Sequence, residues 1–130
     1  MQKVYDFLKE AGTYFLATDD GGQPRVRPFG TVDIFNGQLT IQTGRKKACY
    51  RQMKANPKVE ICAMKGGEWI RIAATAVECT DIEAERHMLA AYPELASMYQ
   101  PGDGNSVVFA LTDATAVIAS FTASPETIRF

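Results

Sequence analysis

The chain has 130 residues, of which 46% are apolar and 22% charged, and its formal net charge is −1. This length suits one domain, in which roughly two-thirds of the surface of the unfolded chain becomes buried. The composition excludes disordered and fibrous proteins, and the charge argues against general nucleic-acid binding, which usually needs a basic domain. No segment approaches the ~20 apolar residues of a membrane span. The N-terminal segment also lacks the apolar core of a secretion signal, so we expect one cytoplasmic domain over residues 1–130.

Positive charge is concentrated in one part of the chain. Residues 1–60 carry ten Lys and Arg against six Asp and Glu, whereas residues 61–130 carry four against nine. Within residues 25–58 the only acid among eight cations is Asp33. The eight cations are Arg25, Arg27, Arg45, Lys46, Lys47, Arg51, Lys54 and Lys58. Such an imbalance indicates that this part of the surface meets an anion.

Residues that build metal sites and catalytic triads are scarce. The cysteines, Cys49, Cys62 and Cys79, are odd in number and form no C-x-x-C pair. We expect them to be reduced and mostly buried, with neither a disulfide framework nor a metal site. The single histidine, His87, lies in a polar run and is interpreted as an ordinary surface histidine on a helix. A catalytic triad is therefore not indicated.

The N-terminal part is predicted to contain a helix and then strands. Residues 2–11 have the apolar period of an amphipathic helix, and Gly12 provides a stop signal. Three β-prone runs follow, separated by turn signals of which Asn36-Gly37 is the strongest. The runs cover residues 13–18, 25–35 and 39–43. We interpret them as an antiparallel meander.

The rest of the chain alternates short helices with strands. Asn56-Pro57 ends one predicted helix, and Thr80 and Glu83 match a capping box that opens another. The predicted helical segments are 46–55, 80–91 and 93–99. The predicted strands are 59–64, 68–80, 106–111 and 115–122. Six or so antiparallel strands with helices between them indicate a mainly β domain, a closed or partly closed barrel that protects its strand edges.

The turn over residues 43–48 combines a glycine with consecutive cations. Free backbone N–H groups at a helix start, together with Lys and Arg side chains, make a phosphate-sized anion site. The spacing is not that of a P-loop, so nucleotide hydrolysis is not indicated. Lys47 is the cation closest to the helix start. For Lys46, Arg51 and Lys54 the alternative is an ordinary solvated helix face.

The run from Gln23 to Gly30 is unusual for a strand. Arg25 and Arg27 alternate with apolar residues, but Pro28 and Gly30 indicate a bulge or an unpaired stretch. Backbone groups exposed there can hydrogen-bond a planar heterocycle. The alternative is an edge strand that proline and arginine protect from aggregation.

A second candidate face lies in the predicted strand 68–80. Alternation puts Trp69 and Arg71 on one side of the strand, and Ile70 and Ile72 on the other. An aromatic ring beside a cation suits a ligand platform. Packing of Trp69 into the barrel core is the alternative.

These motifs, in this order and spacing, resemble the FMN-binding split-barrel proteins related to pyridoxamine 5′-phosphate oxidase. The motifs are Arg27-Pro28-Phe29-Gly30, the Asn36-Gly37 hairpin, Thr43 followed by Lys47, residues 55–59, and Trp69-Ile70-Arg71-Ile72. The resemblance continues through Tyr99 and the loop 102–105, and so covers nearly all of the chain. It implies a six-stranded antiparallel split β-barrel with an N-terminal helix.

The resemblance also implies a homodimer with two FMN molecules in clefts at the subunit interface. Residues matching this family's flavin-ring support are Arg27, Pro28, Phe29 and Gly30. Residues matching its ribityl and phosphate contacts are Thr43 and Lys47, with Arg25, Arg45 and Lys46 as further phosphate neighbours. Trp69 and Arg71 would approach the flavin at the interface. No catalytic residue is assigned, and the candidates for a general acid are Tyr50, Arg71 and Tyr99.

The chain departs from the true oxidases of this family. No histidine follows His87, so their Arg-x-His substrate segment is missing, and residues 43–47 lack their Ser-Arg-Lys run. Pyridoxamine 5′-phosphate oxidation is therefore not expected. The resemblance implies instead an FMN-dependent oxidoreductase that passes electrons or hydride from NADH, NADPH or another donor to a small organic acceptor.

Two alternatives to an oxidoreductase remain open. The first is a non-catalytic FMN- or haem-binding sensor, store or carrier. Haem binding would need an axial ligand from His87, a cysteine or a tyrosine. The second is a barrel that has lost its cofactor and serves only as a partner module.

Overall fold

A computed structural model describes all of residues 1–130. The helices are α1 (Gln2–Ala11), α2 (Ala48–Ala55) and α3 (Ile82–Ala91), and a 3-10 segment covers Pro93–Ser97. The strands are β1 (Tyr14–Asp20), β2 (Gln23–Phe29), β3 (Asp33–Phe35), β4 (Gln38–Gly44), β5 (Lys58–Lys65), β6 (Glu68–Glu78), β7 (Ser106–Ser120) and β8 (Glu126–Arg129). None of the helices has the length and apolar character needed to cross a membrane.

All eight strands form one antiparallel sheet in the order β2-β1-β5-β6-β7-β4-β3, with β8 paired to β7. The segment after β2 approaches β4, where the backbone N–H of Gln42 donates to Thr31 Oγ1 at 3.1 Å. The sheet therefore curls into a barrel shape, but its two edge strands, β2 and β3, are not joined by a ladder of hydrogen bonds. The predicted mainly β, antiparallel split barrel with an N-terminal helix is confirmed. The strand count exceeds the expected six because the short strands β3 and β8 are added.

The barrel interior follows from the apolar pattern of its elements. Helix α1 buries Val4, Phe7 and Leu8 against the core, as its period predicts. On β6, Ile70 and Ile72 are fully buried, whereas Arg71 between them faces outward. The barrel is therefore filled by side chains, and ligand space is left at its open edge.

The predicted meander is wrong in its connections. Strand β2 pairs only with β1, and residues 30–32 leave the sheet before β3 pairs with β4. The Asn36-Gly37 hairpin is confirmed as the turn between β3 and β4. Pro28 lacks a ladder donor and Gly30 lacks a side chain to pack, which accounts for the break.

The C-terminal strands also differ from the prediction. Segments 106–111 and 115–122 form one long strand, β7. The strand continues because Asp113 adopts a positive φ of 47° and the register with β6 shifts between Ala73 and Thr75. The strand therefore has a bulge at the place where the sequence predicts a loop between two strands.

Two helix starts lie later than predicted. Helix α2 begins at Ala48, so the cations at positions 45–47 precede its first turn. Helix α3 is capped by Asp81 rather than Thr80, and the Asp81 carboxylate accepts from the Glu83 N–H at 2.9 Å. Asp is as good an N-cap as Thr, so the shift costs nothing.

The three cysteines are free, but only one is buried. Cys49 is buried, Cys79 is partly buried and Cys62 is exposed. Cys62 lies between the buried Ile61 and Ala63 on β5, and strand alternation therefore turns it outward. The expectation of mostly buried cysteines is wrong for Cys62.

Candidate functional site

A cavity of about 320 Å³ opens where β2 leaves the sheet. Residues 27–31, the end of β2 and the two residues that follow it, form one part of the lining, and Gln42 and Thr43 of β4 form another. Lys47 and Cys49 contribute the start of α2. The remaining lining comes from the region after α3. Its members are Tyr92, Glu94, Leu95, Met98 and Tyr99.

The start of α2 makes one corner of this cavity basic. No side chain caps the helix, and the N–H groups of Ala48 and Cys49 have no hydrogen-bond acceptor in the protein, so they are free to bind an anion. Lys47 is exposed and forms no ion pair with a carboxylate. The corner therefore combines a free cation with free backbone donors.

Backbone contacts hold the loop that carries this corner. The N–H of Arg45 donates to the carbonyl of Asn105 at 2.7 Å, and the N–H of Lys46 donates to Asn105 Oδ1 at 3.2 Å. A Cβ on Gly44 would lie 2.9 Å from Tyr99 Oη and 3.2 Å from Asn105 Oδ1. Only glycine therefore allows this close approach between the loop and the cavity lining.

The loop 102–105 is itself organised by Asp103. The Asp103 carboxylate accepts from the N–H groups of Gln100, Asn105 and Ser106 at 2.9, 2.8 and 2.7 Å. These hydrogen bonds, that from Gln100 foremost, lower the pKa of Asp103 from its usual value because they favour the ionised carboxylate. Asp103 thereby fixes the loop that holds the start of α2.

Arg27 lies at the same corner and is held by neutral acceptors. Its Nη1 donates to the Leu16 carbonyl at 3.1 Å and to Thr18 Oγ1 at 2.9 Å, and its Nη2 donates to Gln52 Oε1 at 2.5 Å. Thr18 Oγ1 donates to the same Gln52 oxygen at 2.6 Å. Because no carboxylate pairs with it, the guanidinium keeps its charge available for a ligand.

A second cleft of about 560 Å³ adjoins this corner between the β1–β2 hairpin and α2. Arg27 lines both cavities, and Arg25 and Arg51 line the second. Arg25 Nε pairs with Asp20 Oδ2 at 3.3 Å, whereas Arg51 has no carboxylate partner. Asp19 and Asp20 also line this cleft, so its positive charge without a carboxylate partner is that of Arg27 and Arg51.

Glu78 on β6 holds other members of the basic cluster away from the cavity. It accepts from Arg45 Nη2 at 3.0 Å, from Lys54 Nζ at 3.1 Å and from Tyr50 Oη at 3.0 Å. Burial opposes its ionisation, but the hydrogen bonds from Lys54 and Tyr50 and the charges of Arg45 and Lys54 outweigh burial and lower the pKa of Glu78. Arg45 and Tyr50 therefore serve an internal ion-pair network.

The structure brings together six of the eleven residues that the resemblance implies for the cofactor. The six in the cavity are Arg27, Pro28, Phe29, Gly30, Thr43 and Lys47. Arg25 lines the second cleft. Arg45 and Lys46 line neither, and Trp69 and Arg71 lie on another face of the sheet. The role of all eleven in cofactor binding stays a prediction.

Trp69 and Arg71 belong to an outward face of the sheet that is rich in apolar side chains. We call this set the outer apolar face. It consists of the exposed Phe15, Val26, Met64 and Phe121 and the partly buried Trp69. Its most exposed members are Phe121 at 93%, Val26 at 68% and Met64 at 65%. The rings of Trp69 and Phe121 are 5.0 Å apart. Exposed apolar patches of this kind mark interaction surfaces.

His87 lies on α3 outside the cavity, where its Nδ1 is 2.5 Å from Asp33 Oδ2. Its side chain is 57% exposed, which confirms the expected surface position. Of the side chains considered as haem ligands, those that line the cavity are Cys49, Tyr92 and Tyr99.

Sequence reasoning missed Gln52 and most of the lining after α3. Tyr92 Oη donates to the Val32 carbonyl at 3.1 Å and accepts from the Val32 N–H at 3.0 Å. These contacts join residues 60 positions apart, so no local pattern marks them. The one sequence signal in this region is Pro93, which indicates that α3 ends before it and that the chain continues in another direction.

The curled sheet and the cavity at its open edge define a split-barrel protein of the pyridoxamine 5′-phosphate oxidase type. The chain belongs to the pyridoxamine 5′-phosphate oxidase family, because the model of that family matches residues 1–117. The resemblance found in the sequence is thereby confirmed. No curated protein sequence gives a significant match.

Solved structures agree with this assignment. A NimC/NimA family protein from Clostridium acetobutylicum is 40% identical, with a TM-score of 0.97 over 100% of this chain and 92% of that one. A haem-binding protein from Mycobacterium smegmatis is 14% identical, with a TM-score of 0.70 over 94% of this chain and 57% of that one. An FAD-binding protein from Mesorhizobium loti is 18% identical, with a TM-score of 0.61 over 92% of this chain and 94% of that one. The last two support the fold alone.

Proposed function

We propose that the protein is a homodimeric flavoprotein that binds FMN in the cavity. It passes electrons or hydride from a reduced nicotinamide or another donor to a small organic acceptor. One observation carries the proposal: the end of β2, which has an unpaired edge, and the basic corner at the start of α2 line the same cavity of about 320 Å³. The cofactor supplies the redox chemistry when bound, so the chain needs to hold it and expose its reactive edge.

The basic corner suits the phosphate of FMN. The Lys47 ammonium and the N–H groups of Ala48 and Cys49 are unpaired donors. Arg27 adds a guanidinium without a carboxylate partner. Thr43 Oγ1 lies in the same lining, 3.3 Å from Cys49 Sγ. A hydroxyl between the strand end and the helix start is suited to ribityl or phosphate oxygens.

The end of β2 suits the flavin ring. Because β2 pairs only with β1, the backbone groups on its other edge are free to bind polar atoms at the edge of a planar ring. Phe29 and Gly30 lie at this edge, one with an apolar ring and one with an uncovered backbone. The donor set therefore fits FMN at both of its ends.

The outer apolar face supports the homodimer. Phe121, Val26 and Met64 are largely exposed, and a second copy of the chain would bury them. Trp69 and Arg71 lie on this face, which supports the prediction that they approach a flavin held between two subunits. Dilution to monomer should then release FMN, and a monomer that keeps full affinity would contradict the shared site.

Haem binding has less support from this cavity. The haem-binding protein compared above has a similar fold, but His87 lies outside the cavity and is engaged with Asp33. No observation in the chain favours haem over flavin.

Among the candidate general acids, Tyr99 lines the cavity, whereas Tyr50 does not.

An absorbance spectrum of the freshly purified protein tests the proposal, followed by anaerobic addition of NADH or NADPH. We expect a flavin spectrum that bleaches on reduction and recovers when a small organic acceptor is added. A haem spectrum, or a colourless protein that also rejects added FMN, would contradict the proposal. Flavin that persists with both nicotinamides would remove the nicotinamide as donor while leaving flavin binding intact.

A further inference from the structure

The cavity lining carries opposite charges in different places. Arg27 and Lys47 make its basic corner, whereas Glu94 is the one acidic residue among the fourteen that line it. Glu94 is exposed and forms no ion pair with a Lys or Arg side chain. The cation of the adjacent α1, Lys9, instead donates to Tyr92 Oη at 3.2 Å and lies 4.5 Å from the centre of that ring. The carboxylate is therefore available to a ligand.

The part of the lining that carries Glu94 is fixed at both ends. Tyr92 is bound in both directions to the backbone of Val32. Tyr99 is 8% exposed and packs against Gly44, where no Cβ would fit. The 3-10 segment between the two tyrosines buries none of its own side chains. It is thus held in place without contributing to the core.

Apolar side chains accompany the carboxylate on this segment. Leu95 and Met98 line the cavity, and Met98 is 63% exposed. An exposed thioether adapts to ligands of different shape, and the rings of Tyr92 and Tyr99 can attract a cation. We call this set the acidic wall. It consists of Tyr92, Glu94, Leu95, Met98 and Tyr99.

We propose that the acidic wall is the subsite for the second ligand of the flavin-loaded protein, and that it selects small planar ligands carrying positive charge. The inference rests on the proposed function, because the FMN phosphate would take the basic corner and leave the acidic wall to the second ligand. The flat apolar part of that ligand packs on Leu95 and Met98, and its cationic group lies near the Glu94 carboxylate. An anionic ligand of the same shape is disfavoured by the same charge.

Two probes with the same ring and opposite charge test this selectivity. A naphthalene bearing a trimethylammonium group and a naphthalene bearing a sulfonate are titrated by calorimetry into FMN-loaded protein. The variants are Glu94→Gln and, as a matched control, Glu83→Gln. Glu83 is exposed on α3, pairs with Arg86 at 2.6 Å and does not line the cavity.

We expect the wild-type protein to bind the cationic probe more tightly than the anionic one. Glu94→Gln should weaken binding of the cation about threefold and strengthen binding of the anion about threefold, the size of one exposed charge interaction. Glu83→Gln should change neither, and added salt should reduce the preference. Equal wild-type affinities for the two probes, or equal effects of the two variants, would overturn the subsite.

Failure of the inference is distinguishable from failure of the proposed function. If Glu94→Gln weakens FMN binding itself, Glu94 contacts the cofactor, and the subsite is wrong while the flavoprotein stands. If the wild-type protein takes up no FMN, the proposed function is wrong. The probes titrated into that flavin-free protein would then show whether the wall itself prefers cations.

Discussion

Replacement of Lys47 by alanine tests the basic corner most sharply. Lys47 lines the cavity and has no carboxylate partner, so its removal leaves no buried group unsatisfied in the protein itself. The expected loss is that of a charge-assisted hydrogen bond to phosphate. We expect FMN affinity to fall by about 1–3 kcal/mol, which is about 5- to 150-fold in Kd.

The neighbouring residue provides a matched control. Lys46, which the resemblance gives as a further phosphate neighbour, carries the same charge and is exposed, but it lines neither cavity, so we propose no direct contact between its side chain and FMN. Lys46→Ala therefore changes the net charge equally and should alter FMN binding by about twofold or less at physiological salt. Both affinities are measured by quenching of FMN fluorescence during titration into flavin-free protein.

Two results for the Lys47→Ala and Lys46→Ala variants would contradict a phosphate site at the basic corner. Equal effects of Lys47→Ala and Lys46→Ala would show that the cavity corner acts only through its general positive charge. No effect of either would place the phosphate elsewhere. Unfolding in urea, measured for both variants, should show unchanged free energies, because neither side chain is buried.

The remaining predictions concern residues that position the corner. Gln52→Leu should lower the free energy of unfolding by about 1–3 kcal/mol in urea titrations and also weaken FMN binding, because Arg27 loses its Nη2 partner; unchanged values would refute this positioning role. Glu78 has a lowered pKa, so its ionised form stabilises the fold above its usual pKa, and this stabilisation is lost as pH falls through the folded-state pKa. Glu78→Gln should therefore destabilise the protein at neutral pH and lose this effect as pH falls below the lowered pKa of Glu78, and a pH-independent difference would contradict it. Gly44→Ala should lower the melting temperature and weaken FMN binding, because its Cβ would lie 2.9 Å from Tyr99 Oη and 3.2 Å from Asn105 Oδ1 and so shift the loop that carries Lys47; unchanged FMN affinity would show that FMN binding does not depend on the position of this loop.

Local patterns predicted the elements of the fold better than their pairing. The apolar period of α1 and the Asn36-Gly37 hairpin are local signals, and both are confirmed. The pairing of β4 with β7 joins residues such as Ile41 and Phe109, which no turn signal connects. The departure of residues 30–32 from the sheet could not be predicted for the same reason. Pro28 and Gly30 indicate an irregularity in the strand, but they do not show which strands pair on either side of it.

The candidate site divides in the same way. The cluster of cations in residues 25–58 predicted an anion site, and Arg27 and Lys47 do meet in one cavity. Arg45 carries the same charge, but it pairs with Glu78, which is 33 positions later in the sequence, and it does not line the cavity. Only three-dimensional contacts distinguish a cation that faces a ligand from one that pairs inside the protein.

Comparison of FMN with riboflavin tests the central claim most directly. The two molecules share the flavin ring and ribityl chain, and only FMN carries the phosphate that the basic corner would bind. Titration of flavin-free protein with each should show that FMN binds about tenfold more tightly or better, and that Lys47→Ala removes much of the difference. Equal affinities for FMN and riboflavin, or binding of neither, would contradict the account.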